Sequence, residues 1–244
     1  MNKKIFLTSL VLMLAITTKS QNWFSGSKRI KGNGNTKIIT RSTSNYDAIA
    51  IGGSFDVVLI KGNEGEITIE AEENILPYIE TEVSRNTLKV KFKDNTNINT
   101  TKRMTVTIPY KSLESVSLGG SGSISCKSLI KSNDFKVSIG GSGNIDLKLD
   151  SGSIKASIGG SGSIYLEGNT NEFDCSIAGS GNINAYNLET DELNANVAGS
   201  GNIKTTVSSK IDAKVVGSGS IYYKGKPSNI KSKSVGSGDV VDKN

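Results

Sequence analysis

The chain has 244 residues, of which 35% are hydrophobic and only 6% aromatic, and it contains 27 glycines. This length allows one or two domains with a sizeable core, and the composition excludes a collagen-like or disordered chain. Histidine is absent from the sequence, which excludes catalysis by histidine-containing triads and removes the commonest zinc ligand.

Residues 1–20 have the pattern of a signal peptide. Two lysines precede an apolar run from Ile5 to Ile16, which is too short to span a bilayer comfortably. Thr18 and Ser20 are the small residues of a cleavage site, so we expect cleavage after residue 20; the alternative is an uncleaved anchor helix. Cleavage removes three lysines and no acidic residue, which lowers the net charge from +6 to +3. We expect no nucleic-acid partner for an exported chain with this charge.

The sequence gives no sign of a lipid anchor or of a later membrane span. The cysteine nearest to the cleavage point is Cys126, so we do not expect a lipoprotein. No later segment approaches the length of apolar sequence that a transmembrane helix needs, so we expect no integral membrane segment after signal removal. Residues 21–45 are polar and rich in glycine and asparagine, which indicates a linker or a loosely docked first strand.

Residues 46–112 alternate between apolar and polar positions, with irregular spacing. Segments such as SFDVVLIKG and TLKVKF are bounded by turn signals such as GNEG, which predicts strands. We expect irregular β coils here that continue into the more regular part of the chain.

A phrase built around Gly-Ser-Gly recurs along the rest of the chain. Two copies read IGGSGNI at 139–145 and IGGSGSI at 158–164, and a weaker copy, IGGSFDV, stands at 51–57. The mean period is about 19 residues, which indicates a repeat architecture. The glycine before the serine occupies positions 120, 141, 160, 179, 199, 217 and 236.

Alignment of the repeats on that glycine separates apolar from polar positions. Residues two and four before it and four after it are mostly apolar, as are Ile139 and Ile145, whereas odd offsets are mostly polar. This period of two is typical of strands with one buried face. Each position also keeps its size class, so we predict an all-β fold, a parallel β-helix over residues 113–244 with one repeat per coil. An antiparallel meander is the alternative.

The glycine-rich turns depart from the ligand-binding motifs that they resemble. A P-loop requires Lys followed by Ser or Thr at a fixed spacing, before a helix. The calcium-binding nonapeptide repeat requires Asp where Ile145 and Ile164 stand. We therefore expect no cofactor and no metal site in these turns.

Glu172 and Glu192 are the best candidates for glycoside chemistry. Both lie seven residues before the motif glycine in adjacent repeats, so stacked coils place them about 5 Å apart, near the spacing of a retaining pair. Asp174 and Asp191 lie close by in the sequence. The simpler interpretation is a solvated acidic edge, and we expect no enzyme.

The two cysteines, Cys126 and Cys175, fall on core positions two to three coils apart. An oxidising compartment allows disulfides. Stacked coils, however, separate these residues by about 10–14 Å, which is beyond disulfide reach. We therefore predict two buried thiols.

Tyr165 and Tyr222 share an outward-facing column, five residues after the motif glycine. Outward aromatic side chains can contact a glycan or a protein, so these two are the candidate ligand contacts. Ordinary strand propensity is the alternative explanation for tyrosine at these positions.

Three ordered segments resemble a known family. NYDAIAIGGSFDVVLIKG (45–62), NTLKVKF (86–92) and VTIPYKSLESVSLGGSGSI (106–124), followed by the repeated turns, are similar to the head-GIN domain family of exported Bacteroidetes proteins. Its members are described as auto-transporter adhesins. The resemblance covers about residues 40–241 and implies a right-handed β-helix, an envelope or extracellular location and no catalytic residues.

Together these observations predict an exported, non-enzymatic, adhesin-like binding protein of the cell envelope. Its location would be the periplasm, the cell surface or the extracellular space, and its partner a protein or glycan of the envelope or of a host surface. Two alternatives remain, namely a periplasmic structural or envelope-stress accessory module and a carbohydrate-active enzyme.

Overall fold

The structure, a computed structural model, describes residues 28–244. The predicted signal peptide and residues 21–27 lie outside the described residues. The described part contains 18 strands and a short 3₁₀ helix, Leu76–Tyr78.

The repeats form a stack of parallel coils. Each strand from β11 to β15 begins just after one Gly-Ser-Gly turn and ends at the next, so one bent strand makes one coil. The strands of this region are β10 (Ser115–Gly120), β11 (Ser123–Gly141), β12 (Asn144–Gly160), β13 (Ser163–Gly179), β14 (Asn182–Gly199), β15 (Asn202–Gly217), β16 (Ser220–Lys224), β17 (Asn229–Gly236) and β18 (Val240–Asp242).

Like positions of the repeats lie directly above one another. Ile145 pairs with Ile164, and Ile164 pairs with Ile183, in parallel register. The same parallel pairing joins β10 through β15 and continues to β16, β17 and β18. This confirms the predicted β-helix, a solenoid of about seven turns, and rules out the antiparallel meander.

The apolar columns of the alignment form the core. Ile139, Ile158 and Ile177, two residues before the motif glycine, are each 2% exposed, and the isoleucines four residues after it are at most 1% exposed. Valine, alanine and cysteine occupy the column four before the glycine, as in Val137, Ala156 and Cys175. Because each residue stacks on a similar one, the core has nearly the same cross-section in every coil.

In two adjacent coils, a second corner is stabilised by a buried hydroxyl group. Ser151 Oγ donates a hydrogen bond to the carbonyl oxygen of Ser153 (2.8 Å), and Thr170 Oγ1 donates one to that of Glu172 (2.9 Å). Ser151, Thr170 and Thr190 are in register in successive coils. Thr190 Oγ1, in contrast, has no hydrogen-bond partner.

The N-terminal region stacks its coils in an order that differs from the sequence. β3 and β4 form a coil on which β10 and the start of β11 stack, yet the coil beneath is β7 and β9, which come later in the chain. The strands of this region are β1 (Lys28–Lys31), β2 (Thr36–Ser42), β3 (Ala48–Gly52), β4 (Asp56–Lys61), β5 (Glu66–Glu72), β6 (Ile79–Ser84), β7 (Thr87–Phe92), β8 (Thr96–Asn99) and β9 (Thr105–Tyr110).

Antiparallel strands close the N-terminal end of the stack. β6 pairs with β7, and β5 pairs with both β2 and β9, so the ladder of parallel strands ends there. The Arg41 guanidinium ties this part together, because it donates hydrogen bonds to the carbonyl oxygens of Ile79 (2.7 Å) and Leu76 (3.1 Å). The opposite end is open: β17 pairs with β15 alone among the described strands, and all eight of its residues are exposed.

A buried carboxylate organises two loops of the N-terminal region. Glu72 is fully buried, and its oxygens accept hydrogen bonds from the backbone amides of Gly34 (2.6 Å) and Thr101 (2.9 Å) and from Thr101 Oγ1 (2.7 Å). Burial alone would raise the pKa of Glu72, but the hydrogen bonds from Thr101, Gly34 and Lys102 outweigh it and hold the pKa below its ordinary value.

Both cysteines are buried and unpaired, as predicted. Cys126 Sγ lies 3.3 Å from the hydroxyl of Tyr110. Burial raises the pKa of the Cys175 thiol well above its ordinary value, and the neighbouring charge of Asp174 adds to the rise.

Candidate binding surface on the outer face

The Gly-Ser-Gly turns are structural corners. Gly141 has φ +146°, and Gly160 has φ +131°, both in the region that favours glycine. The amides of Ser142 and Gly143 donate hydrogen bonds to the carbonyl oxygen of Gly120 in the coil beneath, at 2.9 and 3.1 Å. These amides are therefore used in stacking and cannot also bind an anion.

The turns also lack the oxygen ligands that calcium requires. Ile145 and Ile164, which stand where a calcium ligand would be needed, are 0% exposed in the core. Within residues 28–244, no group of three or more acidic, cysteine or histidine side chains is arranged to hold a metal ion.

The structure aligns the two predicted carboxylates in adjacent coils. Glu172 and Glu192 are register partners of β13 and β14, at the edge of an open groove of about 330 Å³. Glu192 is already paired, because Lys210 Nζ donates to its Oε2 at 3.0 Å, and this contact raises the pKa of Lys210. Asp174 pairs with Lys155 at 3.4 Å, and Asp191 accepts a hydrogen bond from Ser208 at 2.7 Å.

Glu192 and Asp174 belong to a wider pattern of ion pairs between register neighbours. Lys131 pairs with Asp150 (3.1 Å), and Lys148 pairs with Glu167 (3.0 Å), again from one coil to the next. The side chains are 42% or more exposed, so each pair contributes little stability on its own. The pattern indicates a role in matching neighbouring coils.

The two predicted contact tyrosines face outward in the same column but lie three coils apart. Tyr165 is 44% exposed, and Asn184 and Lys204 stand between it and Tyr222 in the register. Three steps of about 4.8 Å separate the two backbones by about 14 Å. The structure therefore confirms their shared column and does not bring them into one contact.

A third tyrosine, which the alignment of columns missed, does lie beside Tyr222. Tyr186 sits where β14 bulges against β15, and Thr206 Oγ1 donates a hydrogen bond to its carbonyl oxygen at 2.7 Å. Burial raises the pKa of Tyr186, and the neighbouring Tyr222 raises it further, as expected for two adjacent phenols. Tyr186 lies seven residues after Gly179. This odd offset from the motif glycine was the sequence signal that its side chain faces outward.

Lysines accompany both rings. Lys224 Nζ lies 4.8 Å from the ring centroid of Tyr186, and Lys243 Nζ lies 5.3 Å from that of Tyr222. Lys204 is the register neighbour of Tyr222 in the coil beneath. We call these five residues, Tyr186, Tyr222, Lys204, Lys224 and Lys243, the tyrosine–lysine cluster.

Residues 45–227 match the family model described as "Putative auto-transporter adhesin, head GIN domain". The chain belongs to this family. The match begins just before β3 and ends just before β17, so the head GIN domain comprises nearly the whole stack.

Solved structures share the fold of this head GIN protein. A putative adhesin from Bacteroides fragilis superposes with a TM-score of 0.82 at 24% identity, over 88% of this chain and 100% of that one. A putative lipid binding protein from Parabacteroides distasonis gives a TM-score of 0.75 at 29% identity, over 89% and 100%. A putative adhesin from Parabacteroides merdae gives 0.71 at 25% identity, over 89% and 100%.

The head GIN chain has no match among curated proteins. Within residues 28–244, no helix has the length and apolar character needed to cross a membrane. The adhesin-like family and the β-solenoid fold point to a non-enzymatic protein.

Proposed function

We propose that this head GIN protein is an exported, adhesin-like binding protein of the cell envelope, with a protein or glycan as its partner. The observation that carries this proposal is the position of three tyrosines on the outer face of a rigid stack, where Tyr165 is 44% exposed and Tyr186 and Tyr222 are half-buried. Family membership and the adhesins among its structural relatives support the same function.

A rigid solenoid suits this role on physical grounds. Each coil of β11 to β15 is hydrogen-bonded to the coils on both sides, so its outward side chains are held in fixed columns. Little ordering entropy is then lost when a partner binds, and more of the contact energy remains as affinity. Tyrosine adds apolar area and a polar hydroxyl at low conformational cost.

The test is capture of a partner with matched variants. The protein, purified from cells that express the full chain, is applied to a glycan array and to immobilised envelope extract. We expect Tyr165→Ala and Tyr222→Ala to reduce retention of the partner, because each removes an outward-facing aromatic side chain. Lys127→Gln, on β11, serves as the control for a neutral surface change. Retention that is unchanged in both tyrosine variants rejects these contacts.

The non-enzymatic character has its own test. Glu192 is neutralised by Lys210, and the open groove provides no enclosed site for a sugar ring. We expect no release of reducing ends when the protein is incubated with polysaccharides. Cleavage that disappears in Glu172→Gln would instead establish the carbohydrate-active alternative.

The open edge of β17 favours a second candidate, an accessory module that docks on a protein. Its eight residues are exposed and its outer edge pairs with no described strand, so a partner strand has a place to add. Protease treatment of intact cells separates the two candidates: cleavage of the protein supports the adhesin-like function, and protection supports a periplasmic module.

A further inference from the structure

The tyrosine–lysine cluster combines apolar ring surface with cationic groups held beside it. Lys224 and Lys243 each lie within cation–π distance of a tyrosine ring, at 4.8 and 5.3 Å. Such contacts fix where the ammonium groups sit relative to the rings. The bulge of β14 brings Tyr186 towards the later coils, so that the cluster spans β14, β15, β16 and the C-terminal residues.

None of the three lysines is engaged in an ion pair like those elsewhere on the stack. The pairs formed by Lys131, Lys148, Lys155 and Lys210 each join a lysine to a carboxylate of an adjacent coil. In the described residues, Lys204, Lys224 and Lys243 form no salt bridge, and the register neighbours of Lys204 are Asn184 and Tyr222. Their positive charge is therefore available to a ligand.

Positive charge in the column of Tyr222 is confined to the last coils. Down this column the residues are Lys204, Asn184, Tyr165 and Asp146, so the sign changes within about four coils. A short segment of a ligand, spanning a few coils at about 4.8 Å each, fits such a short positive area.

We propose that the tyrosine–lysine cluster binds an acidic polysaccharide. The C–H faces of the sugar rings would pack on Tyr186 and Tyr222, while carboxylates of the ligand would pair with Lys204, Lys224 and Lys243. This inference rests on the proposed binding function and names the ligand class of its outer face.

A single-stranded nucleic acid is the other polymer that tyrosines and lysines bind. Such ligands follow a continuous positive groove along several nucleotides. Here Glu189 and Asp191 are exposed on β14 beside the cluster, and Asp146 lies further down the column. These acidic groups limit the positive area to a few residues, which is shorter than the groove that a phosphate backbone of several nucleotides follows, so the observations favour a short acidic segment of a glycan.

The experiment compares ligands that differ in one chemical property. Polygalacturonate is the acidic probe, and its fully methyl-esterified form presents the same sugar chain without charge. Single-stranded DNA is the third probe. The Kd of each for the protein purified from cells that express the full chain is measured at pH 7 and low salt, and the acidic probe is repeated at high salt.

Two pairs of variants separate ring from charge. Tyr186→Ala/Tyr222→Ala and Lys224→Gln/Lys243→Gln should each weaken polygalacturonate binding by about tenfold or more. Tyr186→Phe/Tyr222→Phe keeps the rings and should bind like the unaltered protein. Lys127→Gln/Lys136→Gln makes the same charge change on exposed residues of β11 and should also leave binding unchanged.

Preferential binding of polygalacturonate over its ester, lost in both alanine and glutamine variants, supports the proposal. Binding that only the lysine variants weaken would show general charge attraction, and it would overturn the proposed stacking on the rings. Equal or tighter binding of single-stranded DNA, lost in the same variants, would reassign the cluster to nucleic acid. If no polysaccharide binds but envelope extract still yields a partner, this inference fails and the proposed function stands. If no polysaccharide binds and envelope extract yields no partner, both this inference and the proposed function are rejected.

Discussion

A methyl group added to Gly141 would lie 2.3 Å from the carbonyl oxygen of Gly120 in the coil beneath. The same relationship recurs between Gly160 and Gly141 and between Gly179 and Gly160, each at 2.4 Å. Because the obstacle is backbone, it cannot move aside without separating two coils. Positive φ and close stacking thus require glycine at this position for two independent reasons.

Two neighbouring glycines of one turn should respond very differently to alanine. Gly141→Ala is expected to lower the free energy of unfolding by about 2 kcal/mol or more, because it combines backbone strain with a clash. Gly140→Ala should change it by less than about 0.5 kcal/mol, since an added Cβ there meets nothing within 4 Å. Urea denaturation followed by circular dichroism measures both, and equal effects would contradict the stacking role of Gly141.

Glu72→Gln should destabilise the protein at neutral pH by about 1–3 kcal/mol, because the amide replaces a carboxylate that accepts several hydrogen bonds. The pKa of Glu72 is lowered in the folded state, so its contribution is complete above the ordinary value of 4.5 and is lost as the pH falls through the folded value. The difference between the two proteins should therefore narrow in acid. Thermal unfolding at pH 7 and at pH 3 tests this, and a constant difference would show that ionisation of Glu72 is irrelevant.

Phe55 occupies the place in the first coil that glycine occupies in later ones. Its ring is 0% exposed and lies 4.7 Å from that of Phe92, where it fills the base of the stack. Phe55→Ala should cost about 3–5 kcal/mol through loss of buried surface and an unfilled cavity. Val58→Ala, on β4 three residues further along the chain and 40% exposed, is the control and should cost much less. Similar losses of stability in the two variants would argue against the packing role of Phe55.

The two thiols should be inert in the folded protein and free after unfolding. Burial protects both, and it raises the pKa of Cys175, so little thiolate is present. A disulfide-exchange reagent should give no rapid reaction in buffer and two thiols per chain in denaturant without reductant. Fewer than two in denaturant would reveal a bond that the structure does not contain.

The regular coils were predictable because one pattern is repeated. The same apolar residue type recurs at one position in several repeats, as at Ile145 and Ile164. This repetition excludes a chance alternation of apolar and polar residues. The outward direction of Tyr165 and Tyr222 followed from the same alignment, because side chains alternate along a strand.

The N-terminal stacking order had no such signal. Apolar and polar residues alternate in β3 and in β7 whichever strand lies above the other. Only tertiary packing decides that the coil of β7 and β9 lies beneath the coil of β3 and β4. Tyr186 was missed for a related reason. The bulge of β14 moves it out of a simple column, and bulges depend on pairing with β15, which one repeat does not reveal.

The uniform stacking of coils also bears on how the length of this protein can change. In a coil added by duplication of one repeat, the motif glycine would stack between the motif glycines of the coils below and above. Its core residues would pack against the same residue types on both sides. Each duplication would lengthen the rod by about 4.8 Å without new packing. The antiparallel strands at the N-terminal end would stay unchanged. We expect natural relatives to differ in the number of coils, and so in the length of the solenoid, while they keep the same cross-section.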